Sequence, residues 1–169
     1  MLKMLSAAAC LAIAAVGTAP AFAQDALTGE MANSQYLVGT WYCAVTETMP
    51  STGMRQENGT LTFAMVPGNA LSQVISTPTF SGLGYLGYNS QSNKFFANSV
   101  NSMGGISTET ADRGTPGHNV FIGTASEGGQ TAPSRDTADK LSDTRIHYIS
   151  EINIAGNWTK VVDVTCTKR

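Results

Sequence analysis

Two cysteines at opposite ends of the chain constrain its fold more than any other feature. Cys43 stands in YLVGTWYCAV, residues 36–45, and Cys166 stands in NWTKVVDVTC, close to the last residue. Alternate residues of an extended strand share a side. Trp41, Cys43 and Val45 therefore fall on one face of the first strand, and Trp158, Val162, Val164 and Cys166 on one face of the last. Each cysteine sits with the large apolar residues of its own strand. A bond between them places the first strand beside the last, and a sheet whose terminal strands touch is a closed barrel. An open sandwich bridged between its two sheets satisfies the same alternation and remains the alternative.

The case for a bond comes from the compartment. MLKMLSAAACLAIAAVGTAPAFA, residues 1–23, has a basic start at Lys3, an Ala/Leu/Ile run and an Ala21-Phe22-Ala23 cleavage site, the pattern of a signal peptide. Its alanine-rich character is bacterial, so the expected destination is the periplasm or the medium. Cleavage removes Cys10 and leaves only Cys43 and Cys166 in an oxidising environment, where a pair is expected to form a disulfide. There is no CxxC and no His/Asp/Cys spacing of a metal site, so no metal is expected. The formal charge of the chain is −2, with charges few and scattered. No basic patch supports nucleic-acid binding, and no membrane span is expected after cleavage.

Residues 24–36 are expected to form a flexible N-terminal segment and residues 37–169 a single domain. Short alternating runs separated by Gly, Asn and Ser turns predict strands near 38–48, 58–66, 70–77, 82–89, 94–101, 104–110, 118–126, 134–141, 144–154 and 157–167. The clearest hairpin turns at Ala155-Gly156, another spans Asn89–Asn93, and EGGQTAP at 127–133 is expected to be a flexible loop. The fold class is all-β: an antiparallel up-and-down barrel of about ten strands.

LVGTWY, residues 37–42, resembles the G-x-W opening of calycins, the lipocalin-like and fatty-acid-binding-like barrels. That resemblance implies that Trp41 looks into the closed end and plugs it. FSGLGYLGYNSQSNKFFANSVNSMGG, residues 80–105, resembles a bacterial family of lipocalin-like barrels of uncharacterised function. Gly87-Tyr88-Asn89 fills its G-Y-D position and Asn101-Ser102 its D-S position. Arg135, Ser142-Asp143 and the final NWTKVVDVTCTKR lie where its G…R segment, acidic turn and last hairpin would be. Two Asp positions of the pattern are Asn here and its Trp is replaced near Asn98, so an ion-binding or acid role does not carry over.

Candidate chemistry is sparse. His118 and His147 are the only histidines. The nitrobindin branch of calycins binds haem through a His in a late strand, which makes His147 the candidate haem ligand. The Gly-rich segment that follows G-x-W in that branch is missing, since Tyr42-Cys43-Ala44 stand there. His147 alternates with Arg145, Ile149 and Glu151 and faces solvent if the Tyr148 side is the core. Asp136, Asp139, Asp143, Glu151 and Asp163 read as solvated acids, and no G-x-S-x-G elbow supports a hydrolase. Tyrosines have an apolar ring and a polar tip suited to a ligand cavity. An inward Arg135 would anchor an anion. The expected function is binding of a small apolar or amphipathic molecule inside the barrel, lined by Trp41, Tyr85, Tyr88, Arg135 and Tyr148, without a cofactor. The alternatives are an enzyme with its site at the barrel mouth, a haem-binding nitrobindin-like protein, and a filled barrel acting as an interaction or structural protein.

Overall fold

The computed structural model describes residues 26–49 and 53–168. The expected signal peptide and Cys10 lie outside the described residues. Ten antiparallel strands follow one another: β1 (Gly39–Met49), β2 (Gly53–Val66), β3 (Ala70–Ser76), β4 (Ser81–Asn89), β5 (Lys94–Asn101), β6 (Ile106–Ala111), β7 (His118–Glu127), β8 (Gln130–Ser142), β9 (Arg145–Ile154) and β10 (Asn157–Lys168). Each pairs with its neighbours in sequence, and β10 pairs with β1 to close the barrel. The open sandwich is thereby excluded.

The closing seam carries the disulfide. Cys43 and Cys166 are directly opposed partners in the β1–β10 register. Their Cα atoms are 4.0 Å apart and their sulfurs are bonded. Trp41, Cys43, Val45 and Glu47 all point inward and are buried, while Tyr42 on the alternate face is exposed. The register then dictates the inward face of every other strand, because opposed residues share a side of the sheet.

Two ladders break this parity: β8–β9 shifts between Lys140 and Ser142 next to its turn, and the second shift reverses a face within β10. The β9–β10 register shifts between Lys160 and Val162, with Val161 as the extra residue of a bulge. Val162, Val164 and Cys166 face inward as the alternation predicts. Trp158, beyond the bulge, is turned to the outside and is 38% exposed. The expectation that Trp158 shares the cysteine face fails for this reason.

The turns follow their residues. Asn89 Oδ1 accepts bonds from Gln91 N at 2.9 Å and Ser92 N at 3.2 Å, a side-chain-closed turn between β4 and β5. Residues 127–133 are not a loose loop. Gly128 and Gly129 have φ of +59° and +79°, and they close a tight hairpin that the twist of the strands favours. Pro133 is thus a strand residue, opposed to Thr124.

Residues 27–37, expected to be mostly flexible, belong to the core. Gly29–Leu37 forms a 3₁₀ helix. Residues three apart eclipse in such a helix, so Met31, Ser34 and Leu37 share a side. Met31 and Leu37 are buried, as is Leu27 just before the helix. The helix caps the barrel end where β1 starts. Trp41 Nε1 donates to Leu37 O at 2.7 Å, Lys168 Nζ to Tyr36 O at 2.8 Å, and Thr28 exchanges two bonds with the Asn69 side chain.

Replacing both cysteines by alanine (Cys43→Ala/Cys166→Ala) removes the seam crosslink while leaving the β1–β10 ladder. In the chain-entropy model a loop spanning this sequence separation contributes on the order of 4–5 kcal/mol. The expected result is a clear drop in the urea midpoint with the β-type far-ultraviolet circular dichroism retained. An unchanged midpoint would show that the crosslink carries no stability.

Candidate functional site

The barrel is not filled by its side chains. A cavity of about 660 Å³ runs the length of the barrel. Asn33, Arg113 and Thr115 line it at the 3₁₀ helix and the β6–β7 connection, and Phe80, Met103 and Gln130 line it at the mouth, the opposite end. Its walls include Phe63, Leu86, Phe121, Ile146 and Val164. Small inward residues on β6, β7 and β8 (Ser107, Ala125, Ala132, Ala138) leave the space that large ones would have occupied.

Midway down the cavity sits a buried polar cluster built from β6, β8 and β9. Glu109 is 2% and Ser134 1% exposed. Ser134 Oγ donates to Glu109 Oε1, and Tyr148 OH donates to Asp136 Oδ2. Ser150 and the Glu109 carboxyl lie close to Asp136 as well. Desolvation, then the nearby Asp136 charge, push Glu109 from its ordinary 4.5 up to about 8. Burial raises Asp136 as well, and burial followed by the Asp136 charge holds Tyr148 far above its usual range. Burial thus disfavours the charged form of both carboxyls, and the neighbouring Asp136 charge makes Glu109 a group that keeps its proton at neutral pH. Asp136 Oδ1 is wholly buried and has no hydrogen-bond partner among the described residues.

Close approach of β6 and β7 holds Glu109 in place. Gly123 is opposed to Glu109. A Cβ at Gly123 would stand 1.9 Å from Thr108 O and 2.7 Å from Glu109 Cα. Only glycine fits there without moving β6.

A second polar group lies at the mouth. Arg55 bridges Glu47 and Glu57, and Thr79 Oγ1 donates to Glu57. The hydroxyls of Thr77 and Thr79, more than the Arg55 charge, hold Glu57 below its usual range.

The five residues expected to line a ligand site are dispersed. Tyr148 alone among them reaches the cavity with its hydroxyl. Trp41 is fully buried, but it packs under the 3₁₀ helix in the sealed end. Tyr88 belongs to the same sealed end, where Arg113 donates to its hydroxyl at 2.7 Å and pairs with Glu30 at 2.9 Å. Tyr85 is 48% exposed on the outer face, beside Ser72 and Asn98, and also borders a small recess next to Glu109 and Asp136. Arg135 also points outward. It pairs with Glu151 at 2.7 Å and its guanidinium lies 4.6 Å from the centre of the Trp158 ring. Arg135 is thus no interior anion anchor. The inward residue is its neighbour, Asp136, expected to be solvated but in fact half-buried, with its Oδ1 wholly enclosed.

His147 is on the outer face, 2.8 Å from Asp163. With Tyr148 on the cavity side, the alternation of β9 turns the His147 ring toward Asp163. Among the described residues no group of three or more His, Cys, Asp or Glu could hold a metal ion.

No family model matches the chain, and no curated protein matches it by sequence. Its fold is similar to that in the crystal structure of Rv2717c from M. tuberculosis. The TM-score is 0.69 at 12% identity, over 85% of this chain and 99% of that one. The likeness establishes a shared barrel fold.

Two predictions test the cluster. Gly123→Ala forces β6 aside and is expected to cost about 1–3 kcal/mol, the usual range for overpacking, read as a lowered thermal midpoint. An unchanged midpoint would mean that β6 does not need this contact. The second concerns pH. Glu109 has a folded value raised above its unfolded one, so from about pH 4.5 up to about 8 the unfolded chain binds fewer protons. Its contribution is complete at the acid end of that window and is lost as pH rises through it. Urea midpoints are expected to fall less steeply with pH in Glu109→Gln than in the wild type, and identical slopes would remove Glu109 as the protonated group.

Proposed function

We propose that this protein is an exported small-molecule-binding barrel, delivered to the periplasm or the medium by its N-terminal leader. The observation that carries the binding function is the cavity. At about 660 Å³ it falls within the roughly 300–1,000 Å³ of ordinary ligand pockets. Its walls are mostly apolar, with one buried polar cluster to orient a guest, the usual make-up of such pockets. An interior selected only for packing would be expected near close-packed density. The disulfide is consistent with export, and no helix among the described residues is long and apolar enough to cross a membrane.

The guest is expected to be amphipathic. Apolar groups such as Phe63, Phe121 and Val164 would receive its hydrocarbon part, and Glu109, Asp136 and Tyr148 its polar part. Of the residues singled out from sequence, only Tyr148 is retained as a direct contact, while Trp41 and Tyr88 support the sealed end.

Native mass spectrometry of the protein purified from a bacterial periplasm tests this. The wild type is expected to retain, or take up from a small-molecule mixture, a ligand that Ala132→Phe loses by filling the cavity. A ligand-free wild type that takes up nothing, or an Ala132→Phe variant that binds as well, would overturn the proposal.

A further inference from the structure

Opening from the main cavity is a recess of about 80 Å³ that shares Gln73, Ser99, Ser107, Glu109, Asp136 and Tyr148 with the larger space. Tyr85, Ala97 and Asn98 of the β4–β5 wall complete its lining. We infer that this recess receives the protonated primary amine of a ligand whose apolar tail lies in the main cavity. The inference rests on the binding function proposed above and names the chemical class of the guest.

Charge is the first support. Asp136 and Glu109 face the recess, and no Arg, Lys or His among the described residues pairs with either. The cations near the barrel ends have other partners: Arg55 has Glu47 and Glu57, Arg113 has Glu30, and Lys140 has Asp143. Arg135 is next to Asp136 in sequence but lies outside the wall on Glu151. A buried carboxylate without a cation is costly unless it is protonated or paired. The recess is therefore set for a positive guest and against a carboxylate or phosphate.

Hydrogen bonding is the second support. Tyr148 OH already occupies Asp136 Oδ2. Asp136 Oδ1 is buried at the recess with no hydrogen-bond partner among the described residues. An ammonium has three N–H donors and no acceptor, and it meets here one free carboxylate oxygen and the acceptor oxygens of Gln73, Ser99 and Ser107. A hydroxyl guest has only one donor to offer, and a trimethylammonium has none.

Size is the third. A water needs about 10–15 Å³ of such space, so the recess has ample room for a CH₂–NH₃⁺ head, and it is hydrogen bonding that sets this head apart from a trimethylammonium. The tail then continues into the main cavity past Leu86 and Phe121, which line both spaces.

Isothermal titration of the purified protein with octylamine, octanol and octyltrimethylammonium tests the inference. A hydrogen bond to a charged group contributes about 1.5–3 kcal/mol, so octylamine is expected to bind at least about tenfold more tightly than the other two. Asp136→Asn should erase that advantage and leave octanol affinity unchanged. Should this variant not fold, Glu109→Gln should reduce the advantage by removing the second carboxyl of the recess. Equal binding of octylamine and octanol, or an amine preference that survives Asp136→Asn, would overturn the amine site and leave the cavity function standing. Binding of none of the three would overturn the amine site, whereas the cavity function falls only if the native-ligand experiment also fails.

Discussion

Everything inside this barrel is set by the opposition of Cys43 and Cys166 at the seam between β1 and β10. In an open sheet, a slip of one residue in one strand can be absorbed at an edge. A closed ring has no edge, so the choice of face made at the seam is carried around all ten strands. Once Cys43 points inward, Glu109 on β6 and Asp136 on β8 must do so too, through an unbroken chain of register partners. The polar cluster is therefore a consequence of closure, and its location does not depend on any loop.

The same parity explains what the sequence discloses and what it hides. All ten strands are readable from alternation and turn residues, through local chemical causes such as the Asn89 side chain or the Ala155-Gly156 pair, although the Gly128-Gly129 hairpin reads as a loop. The pairing of the cysteines is readable as well, since two separate alternations agree. Trp158 is not, because a single extra residue at Val161 reverses the face, and no turn residue announces the bulge. The start of β8 was obscured by Pro133, whose missing N–H argues against a strand although the ladder tolerates it opposite Thr124. The family pattern points to Arg135 as the inward charge, whereas the register places Asp136 inward and Arg135 outward. A cue was present: Ala132, Ser134, Asp136 and Ala138 form a small-residue face, and Arg135, Thr137 and Asp139 the bulkier polar one. Small residues on the inner side of a barrel mark room for a ligand as readily as they mark an outer surface. Glu109 sits in the same kind of pattern, between Ser107 and Ala111.

Along its axis the barrel is graded in side-chain size. At the sealed end Met31, Trp41 and Phe63 are packed together beneath or beside the 3₁₀ helix. Toward the mouth the inner positions of β6, β7 and β8 are Ser107, Ala125 and Ala132. The cavity is the complement of that gradient: closed where large side chains meet, wide where small ones face each other. Burial of the large residues stabilises the sealed end by the hydrophobic effect, while the wide end forgoes that stabilisation to keep its volume. A site placed midway, as Glu109 and Asp136 are, lies deep enough to be desolvated and still faces open volume.

That intermediate depth decides the chemistry. Near the mouth, Glu47 and Glu57 are acids as well, but Arg55 lies between them and neutralises part of their charge. At the sealed end, Glu30 has Arg113. Only the pair in the middle is left to balance itself, and it does so by keeping a proton on Glu109. A proton held in this way is exchangeable for another cation of suitable size. Loss of the Glu109 proton and arrival of a positive guest each change the cluster by one unit, in opposite directions, so the two events compensate electrostatically. A cluster with its own arginine would have no need of either. The absence of a protein cation partner at Glu109 and Asp136 is therefore what separates a binding site from one more salt bridge in the wall.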